Sequence, residues 1–182
     1  TKLLTSESLK KIMVENNIGI DCSGFAYYVL NEESLSRKKG SLSRKLHHDR
    51  FLAMFRPIIN TGVLTFADNR NSKVISIKDA QVGDIITMVG GAEGGERNHI
   101  LIINQIEYQN FIPVTLHYVH AIAWPTDGEY GHGIHEGKIE LTNLEKKLTE
   151  QRWIELEKDS SVNADENYTF SRANKSTTEL RR

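Results

Sequence analysis

The stretch that decides the fold is Gly19-Ile-Asp-Cys-Ser-Gly-Phe25, which contains the only cysteine of the chain, Cys22. Small polar residues flank this cysteine, and apolar residues at helical spacing follow it over residues 23–30. We therefore predict a helix over 23–30 with Cys22 at its N-terminus. The unpaired N–H groups and the positive end of the helix dipole favour a thiolate there, which is the reactive form of cysteine. The pattern is typical of a nucleophilic thiol.

Two histidines lie in strand-like sequence downstream of this helix. His99 stands in Asn98-His-Ile-Leu-Ile-Ile103 and His120 in Tyr118-Val-His-Ala121, where β-branched and aromatic neighbours favour strands. A cysteine nucleophile needs a base, and histidine is the side chain whose pKa suits that role near neutral pH. A helix that carries cysteine, followed by strands that carry histidine, is the papain-like order, in which folding rather than a local motif assembles the site.

The other apolar segments indicate an antiparallel meander. Runs rich in β-branched residues occupy 85–89, 99–106 and 114–123, and further strands are predicted at 138–141 and 168–172. A loop with four glycines, at 90–96, joins the first two runs. Additional short helices are predicted over 6–16, 51–55 and 143–151. The order of elements predicts an α+β domain.

Four segments, taken in order, resemble the NlpC-type cysteine peptidases, which cut bacterial cell-wall peptides. They are Asp21-Cys-Ser-Gly-Phe25, Val82-Gly-Asp-Ile-Ile86, Asn98-His-Ile-Leu-Ile-Ile103, and Val119-His-Ala121 with Gly137-Lys-Ile-Glu-Leu141. Their common order, over about residues 19–157, makes the likeness more specific than any one segment. The resemblance implies a papain-like α+β fold, with the cysteine helix packed on an antiparallel meander or small barrel that carries the histidines. The chain departs from the family in lacking the Tyr-Trp-Gly-Gly run before the cysteine and in having a longer hairpin between the histidines.

The resemblance also implies a role for each site residue. Cys22 would attack a substrate carbonyl, His99 would exchange the proton, and His120 would orient His99. An acyl-enzyme would form and water would hydrolyse it, without metal or cofactor. Asp21 and Ser23 would bind the free α-amino group of a short wall peptide, although the same two residues also fit a helix N-cap.

The expected activity is hydrolysis of an amide bond in peptidoglycan peptides, with the γ-D-glutamyl to diamino-acid bond as the family's commonest target. An N-acetylmuramoyl-L-alanine amidase, a thiol acyltransferase or lipid-acting hydrolase on the same scaffold, and a catalytically inactive wall-binding module stay open as alternatives. The family implies an extracellular or cell-envelope location. The chain begins with Thr1 and shows no signal peptide, as expected for a cytoplasmic fragment or for an export signal that was removed or never included. Only because the resembling family works outside the cell do we favour removal.

Composition favours one globular domain. The 182 residues are 38% hydrophobic and 26% charged, and the net charge of −1 gives no global attraction to nucleic acid or membrane. No apolar run reaches the roughly 18 residues that a transmembrane helix needs. We predict one catalytic domain over 1–173 and a polar, disordered tail at 174–182.

Residues 34–50 read as an insertion into this domain. The segment repeats Ser-Leu-Ser-Arg-Lys at 34–38 and 41–45, and it carries six Lys or Arg residues against one Asp. A solvated helical face is the simpler interpretation. Docking to an anionic wall polymer or to a membrane surface is the alternative, whereas the near absence of interleaved aromatic residues argues against nucleic acid.

The remaining histidines allow two further tests of the site. Residues three apart in a strand point to opposite faces, so only one of His117 and His120 can reach His99, and the Val-His-Ala pattern selects His120. Closely spaced histidines such as His132 and His135 also suggest zinc. That pair lacks helical i, i+4 spacing and a nearby second cysteine, so we expect no metal.

Overall fold

The computed structural model describes residues 21–47, 60–90, 98–123, 132–156 and 168–182. The helices are α1 (Cys22–Ser36), α2 (Val63–Ala67) and α3 (Tyr168–Asn174), and the strands are β1 (Ile85–Val89), β2 (His99–Gln109), β3 (Ile112–Ala123), β4 (His132–Glu140), β5 (Arg152–Leu156) and β6 (Thr177–Arg181). The predicted helices at 6–16 and 51–55 and most of the predicted loop at 90–96 lie outside the described residues.

The strands form one six-stranded antiparallel sheet in the order β5-β4-β3-β2-β1-β6, curled into a half-barrel. The first five strands follow one another as a meander, which confirms the predicted α+β architecture. A two-residue turn joins β2 to β3, where Asn110 and Phe111 both have positive φ angles of 50° and 65°. Such a turn matches the twist of the strands that it connects.

The C-terminal segment differs from both of its predictions. Residues 168–172, predicted as a strand, belong to α3, because Phe170 packs against Trp153 and Ala173 is fully buried. The prediction of a disordered tail at 174–182 is wrong, because every residue of β6 pairs with β1. Its polar composition suits the edge of a sheet, and Leu180 anchors it in the core.

Helix α1 is longer than predicted. It ends at Ser36, so the first three residues of the predicted insertion at 34–50 belong to this helix. A single 3-10 turn at Leu42–Arg44 is the other regular element in the described part of that segment.

The sheet is covered on both faces. Helices α1 and α2 pack on one face, where Ala26 and Tyr27 meet Ile100 and Ile102 of β2. Helix α3 packs on the other face, where Leu101 and Ile103 of β2 join Tyr118, Trp153 and the residues around them. The alternation of β2 side chains between two apolar layers explains its continuous run of isoleucine and leucine. It also places His99 on the face that α3 covers.

Candidate active site

Helix α1 begins at Cys22, as the sequence predicted. Asp21 is the N-cap: its Oδ1 accepts hydrogen bonds from the Gly24 N–H at 2.6 Å and from the Ser23 hydroxyl at 3.0 Å. Asp21 and Ser23 therefore have the capping role that was the alternative to substrate binding. Asp21 is nevertheless exposed beside the thiol, so its charge lies where a substrate amine could meet it.

The half-buried thiol of Cys22 contacts the backbone on either side of His99. Its Sγ donates to the Asn98 carbonyl oxygen at 3.9 Å, and the backbone of Ile100 also hydrogen-bonds the sulfur. The registered pairing of β2 with β3 starts only at Ile102 opposite Val119. Because backbone groups of residues 98, 100 and 102 point to the same side of a strand, the thiol lies where β3 would otherwise continue the ladder.

The structure brings the two predicted histidines into direct contact. Nε2 of His99 and Nδ1 of His120 are 2.7 Å apart, and the rings meet edge to face with centroids 5.0 Å apart. Both side chains are buried, with 2% and 1% of their surface exposed. His117 instead bonds the Glu107 carboxylate on the other face of β3. The strand alternation therefore selected the correct histidine as the partner of His99.

The histidine contact uses one ring nitrogen of each imidazole. Because His120 lies against Nε2 of His99, Nδ1 is the His99 nitrogen that this contact leaves open. In this state the thiol bonds the Asn98 carbonyl rather than the imidazole. The thiol thus lies against the backbone of Asn98 and Ile100, the two residues that flank His99 at the start of β2.

Burial controls the protonation of all three groups. It raises the pKa of the Cys22 thiol, with a further increase from the Asp21 charge, and outweighs the lowering by the Ile100 hydrogen bond and by Arg172. Burial also holds the pKa of His99 well below its ordinary value and lowers the pKa of His120 to about 3. The resting pair is therefore a neutral thiol and a neutral imidazole. The thiolate expected from the position at the helix terminus is therefore not the resting form, because desolvation outweighs the groups that lower the pKa of the thiol.

Arg172 is a site residue that the sequence did not reveal. It lies in the last turn of α3, and its charge lowers the pKa of Cys22, His99 and His120 alike. A cation has this effect on a thiol because it favours the thiolate, and on an imidazole because it opposes a second positive charge. The β-like composition of 168–172 hid the helix, and the tertiary packing of α3 is what directs this charge toward the site.

No group of three or more potential ligands is arranged to hold a metal ion within the ranges that the structure describes. His135, from the histidine pair that suggested zinc, lies on β4 directly opposite His120, with ring centroids 6.4 Å apart. Its charge contributes to the low pKa of His120. No helix among the described segments is both long enough and apolar enough to span a membrane.

A thiol at a helix N-terminus beside a buried histidine pair on an antiparallel sheet is typical of the cysteine peptidases. The family model of the NlpC/P60 family matches residues 10–158, and the chain belongs to this family. Members are generally cysteine peptidases that act on the cell wall, and they are often found in the cell envelope or outside the cell. No curated protein and no solved structure matches the chain. Helix α3 and strand β6 lie beyond the matched residues.

Proposed function

We propose that the chain hydrolyses an amide bond in bacterial peptidoglycan peptides, with Cys22 as nucleophile, His99 as general base and His120 as the group that orients His99. The hydrogen bond of 2.7 Å between the two imidazoles, beside a thiol at the start of α1, is the observation that carries the proposal. Membership of a family of cell-wall peptidases supplies the substrate class.

The neutral resting pair defines the order of proton transfers. As the Cys22 sulfur attacks the carbonyl carbon, its proton passes to Nδ1 of His99, and the imidazolium donates its Nε2–H to His120. His120 can accept this hydrogen bond because its low pKa keeps it neutral. His99 then gives the proton to the leaving amine. Water, with His99 again as base, hydrolyses the acyl-enzyme.

The start of α1 stabilises the negative charge that develops on the carbonyl oxygen. The backbone N–H of Cys22 is a natural oxyanion donor there, and loss of one such donor typically costs about a hundredfold in rate or more. The exposed Asp21 carboxylate, with Ser23 beside it, fits the free α-amino group of a short peptide by charge. This substrate contact is compatible with the capping bonds, since a carboxylate has more acceptor sites than α1 uses.

Within this class, the proposed target is the γ-D-glutamyl to diamino-acid bond, and the proposed location is the cell envelope or the extracellular space. Cleavage at the muramoyl to L-alanine amide is the next candidate, and transfer of the acyl group to an acceptor other than water would make the chain an acyltransferase. The resting thiol bonds a backbone carbonyl rather than a base, and this observation favours an inactive wall-binding module as the candidate from a different class.

Digestion of purified peptidoglycan, followed by mass spectrometry of the released fragments, tests the proposal. Wild-type chain is expected to release fragments with new free amines, and the fragment masses name the bond. Cys22→Ala is the matched control, because it removes the sulfur and leaves the caps of α1 in place. Release of the same fragments by Cys22→Ala would contradict the nucleophile. Sedimentation with the wall without any release of fragments would favour the binding module.

A further inference from the structure

Tyr118 and Gly137 are directly opposite each other on β3 and β4. A Cβ atom built on Gly137 would lie 2.2 Å from both Cζ and the hydroxyl oxygen of Tyr118. Real Cβ atoms do not approach other atoms so closely, so the phenol ring lies across the backbone at a position where only glycine leaves room for it. Gly137 is thus required by the space that the ring occupies.

The same ring forms one wall of the pocket around His120. Tyr118 is fully buried, its ring meets His120 edge to face at a centroid distance of 5.5 Å, and Trp153 packs at 5.5 Å. The tyrosine is therefore confined by Gly137, Trp153 and His120. Its position cannot change without moving one of them.

His120 depends on packing because its own hydrogen bonds do not fix it. Nδ1 is bonded to His99, whereas Nε2 is buried without a hydrogen-bond partner among the described residues. A single hydrogen bond leaves an imidazole free to rock about that contact, and histidines that must hold one orientation are usually held at both nitrogens. Here the Tyr118 ring packs edge to face against the imidazole that lacks this second hydrogen bond.

We propose that Tyr118 is a positioning residue whose ring, seated over Gly137, holds the His120 imidazole in line with His99. The chain of contacts runs from the backbone of β4 through Tyr118 and His120 to His99 at the start of β2. The kinetic part of this inference rests on the proposed function, whereas its geometric part concerns the resting protein alone.

A comparison of two glycine substitutions on β4 tests the inference. Gly137→Ala forces the Tyr118 ring to move, and Gly133→Ala is the matched control because its Cβ would meet nothing within 4 Å. Gly137→Ala is expected to lower kcat by about tenfold or more with KM within about twofold. It is also expected to abolish the far-downfield proton resonance of the short imidazole hydrogen bond in NMR spectra taken without substrate. Gly133→Ala should preserve both.

Substitutions of Tyr118 itself provide a second test. If Gly137→Ala does not fold, this second test is sufficient to decide whether Tyr118 positions His120. Tyr118→Phe keeps the ring and is expected to stay within about threefold of wild-type kcat with the resonance intact. Tyr118→Leu should lose the resonance and lower kcat by about tenfold. In the double variant with Gly137→Ala, kcat should fall little further than in Tyr118→Leu alone. Retention of the resonance and of kcat in Tyr118→Leu would overturn the inference.

The NMR signal separates this inference from the proposed function. If the wild-type chain does not cleave peptidoglycan but Gly137→Ala still removes the resonance, the proposed function fails and the positioning role stands. If the chain cleaves peptidoglycan while Gly137→Ala and Gly133→Ala have the same spectrum and kcat, only the positioning role fails.

Discussion

The two halves of the candidate site are built in different ways. The histidines lie buried within the sheet, where they share one short hydrogen bond and His120 packs against the Tyr118 ring. Cys22 lies at a helix end, half-buried, beside the exposed Asp21 and held by backbone groups of β2. Under the proposed mechanism, the base is organised before substrate binds, whereas the nucleophile must exchange a backbone contact for its base. The predictions below test each half separately.

The largest effect is expected from the buried half. His120→Ala should lower kcat by about a hundredfold while leaving KM nearly unchanged, because it removes the group that orients His99. His117→Ala is the matched control, since His117 lies three residues away on the same strand. Its side chain points to the opposite face and hydrogen-bonds the Glu107 carboxylate. Steady-state kinetics on a soluble peptide substrate measure both variants. An equal loss of kcat in His120→Ala and His117→Ala would show that the strand face on which the histidine lies does not matter.

Acid stability should also reflect the buried histidines. Because the pKa of both imidazoles is depressed in the folded chain, the unfolded chain takes up more protons as the pH falls below about 6.5. The free energy of unfolding is therefore at its full value above that pH. Below it, this free energy falls by about 1.4 kcal/mol per pH unit for each histidine. Urea unfolding at pH 7.5 and at pH 5 measures the difference. His99→Gln and His120→Gln should each flatten this dependence, and an unchanged slope would contradict the neutral pair.

The exposed half predicts how the thiol reacts. Since burial raises the pKa of Cys22, the rate of iodoacetamide labelling of the native chain should climb with pH above neutrality and remain slow at mildly acidic pH. Peptide mapping of the labelled cysteine follows the rate. Fast labelling near pH 5 would instead indicate an ion pair that already exists in the resting protein.

Arg172 allows a sharper version of the labelling experiment. Arg172→Gln removes a charge that favours the thiolate, so labelling at a fixed neutral pH should slow severalfold and the profile should move to higher pH. Arg152→Gln is the matched control, because the exposed Arg152 lies on β5 and pairs with Glu140. The same shift in both variants would assign the effect to net charge.

The smallest effect is expected far from the site, in the basic segment at 34–50. If this segment docks to an anionic wall polymer, Lys39→Glu with Arg44→Glu should reduce sedimentation with cell walls a few-fold at low salt and have no effect at high salt. Lys146→Glu with Lys147→Glu changes the same charge on another exposed stretch and serves as control. Equal wall binding in both double variants would leave the segment as a solvated surface.

The buried half was largely predictable from the sequence, because it depends on the strand pattern of neighbouring residues. Strand β1 matches its predicted bounds, and the two-residue alternation of β3 correctly separated His120 from His117, since a strand leaves each side chain only two directions. The segments 168–172 and 174–182 were mispredicted. Their composition is β-like and polar, whereas the packing of Phe170 and Leu180 on distant parts of the chain decides their structure.

The exposed half shows a different limit of sequence reasoning. The helix start at Cys22 and its cap at Asp21 could be predicted, because caps depend on neighbouring residues. The protonation of the thiol could not, since it depends on burial by β2 and on the charge of Arg172, which approaches from the far end of the chain. The same holds for Tyr118, whose role depends on the glycine opposite it on β4.

Trapping the covalent intermediate tests the central claim most directly. The chain is mixed with a soluble peptidoglycan peptide, quenched with acid during turnover, and analysed by mass spectrometry as intact protein and as digested fragments. The account predicts an adduct with the mass of the acyl part of the substrate, located on Cys22 and absent from Cys22→Ala. Turnover of the peptide with no adduct on wild-type Cys22, and at the same rate in Cys22→Ala, would contradict it.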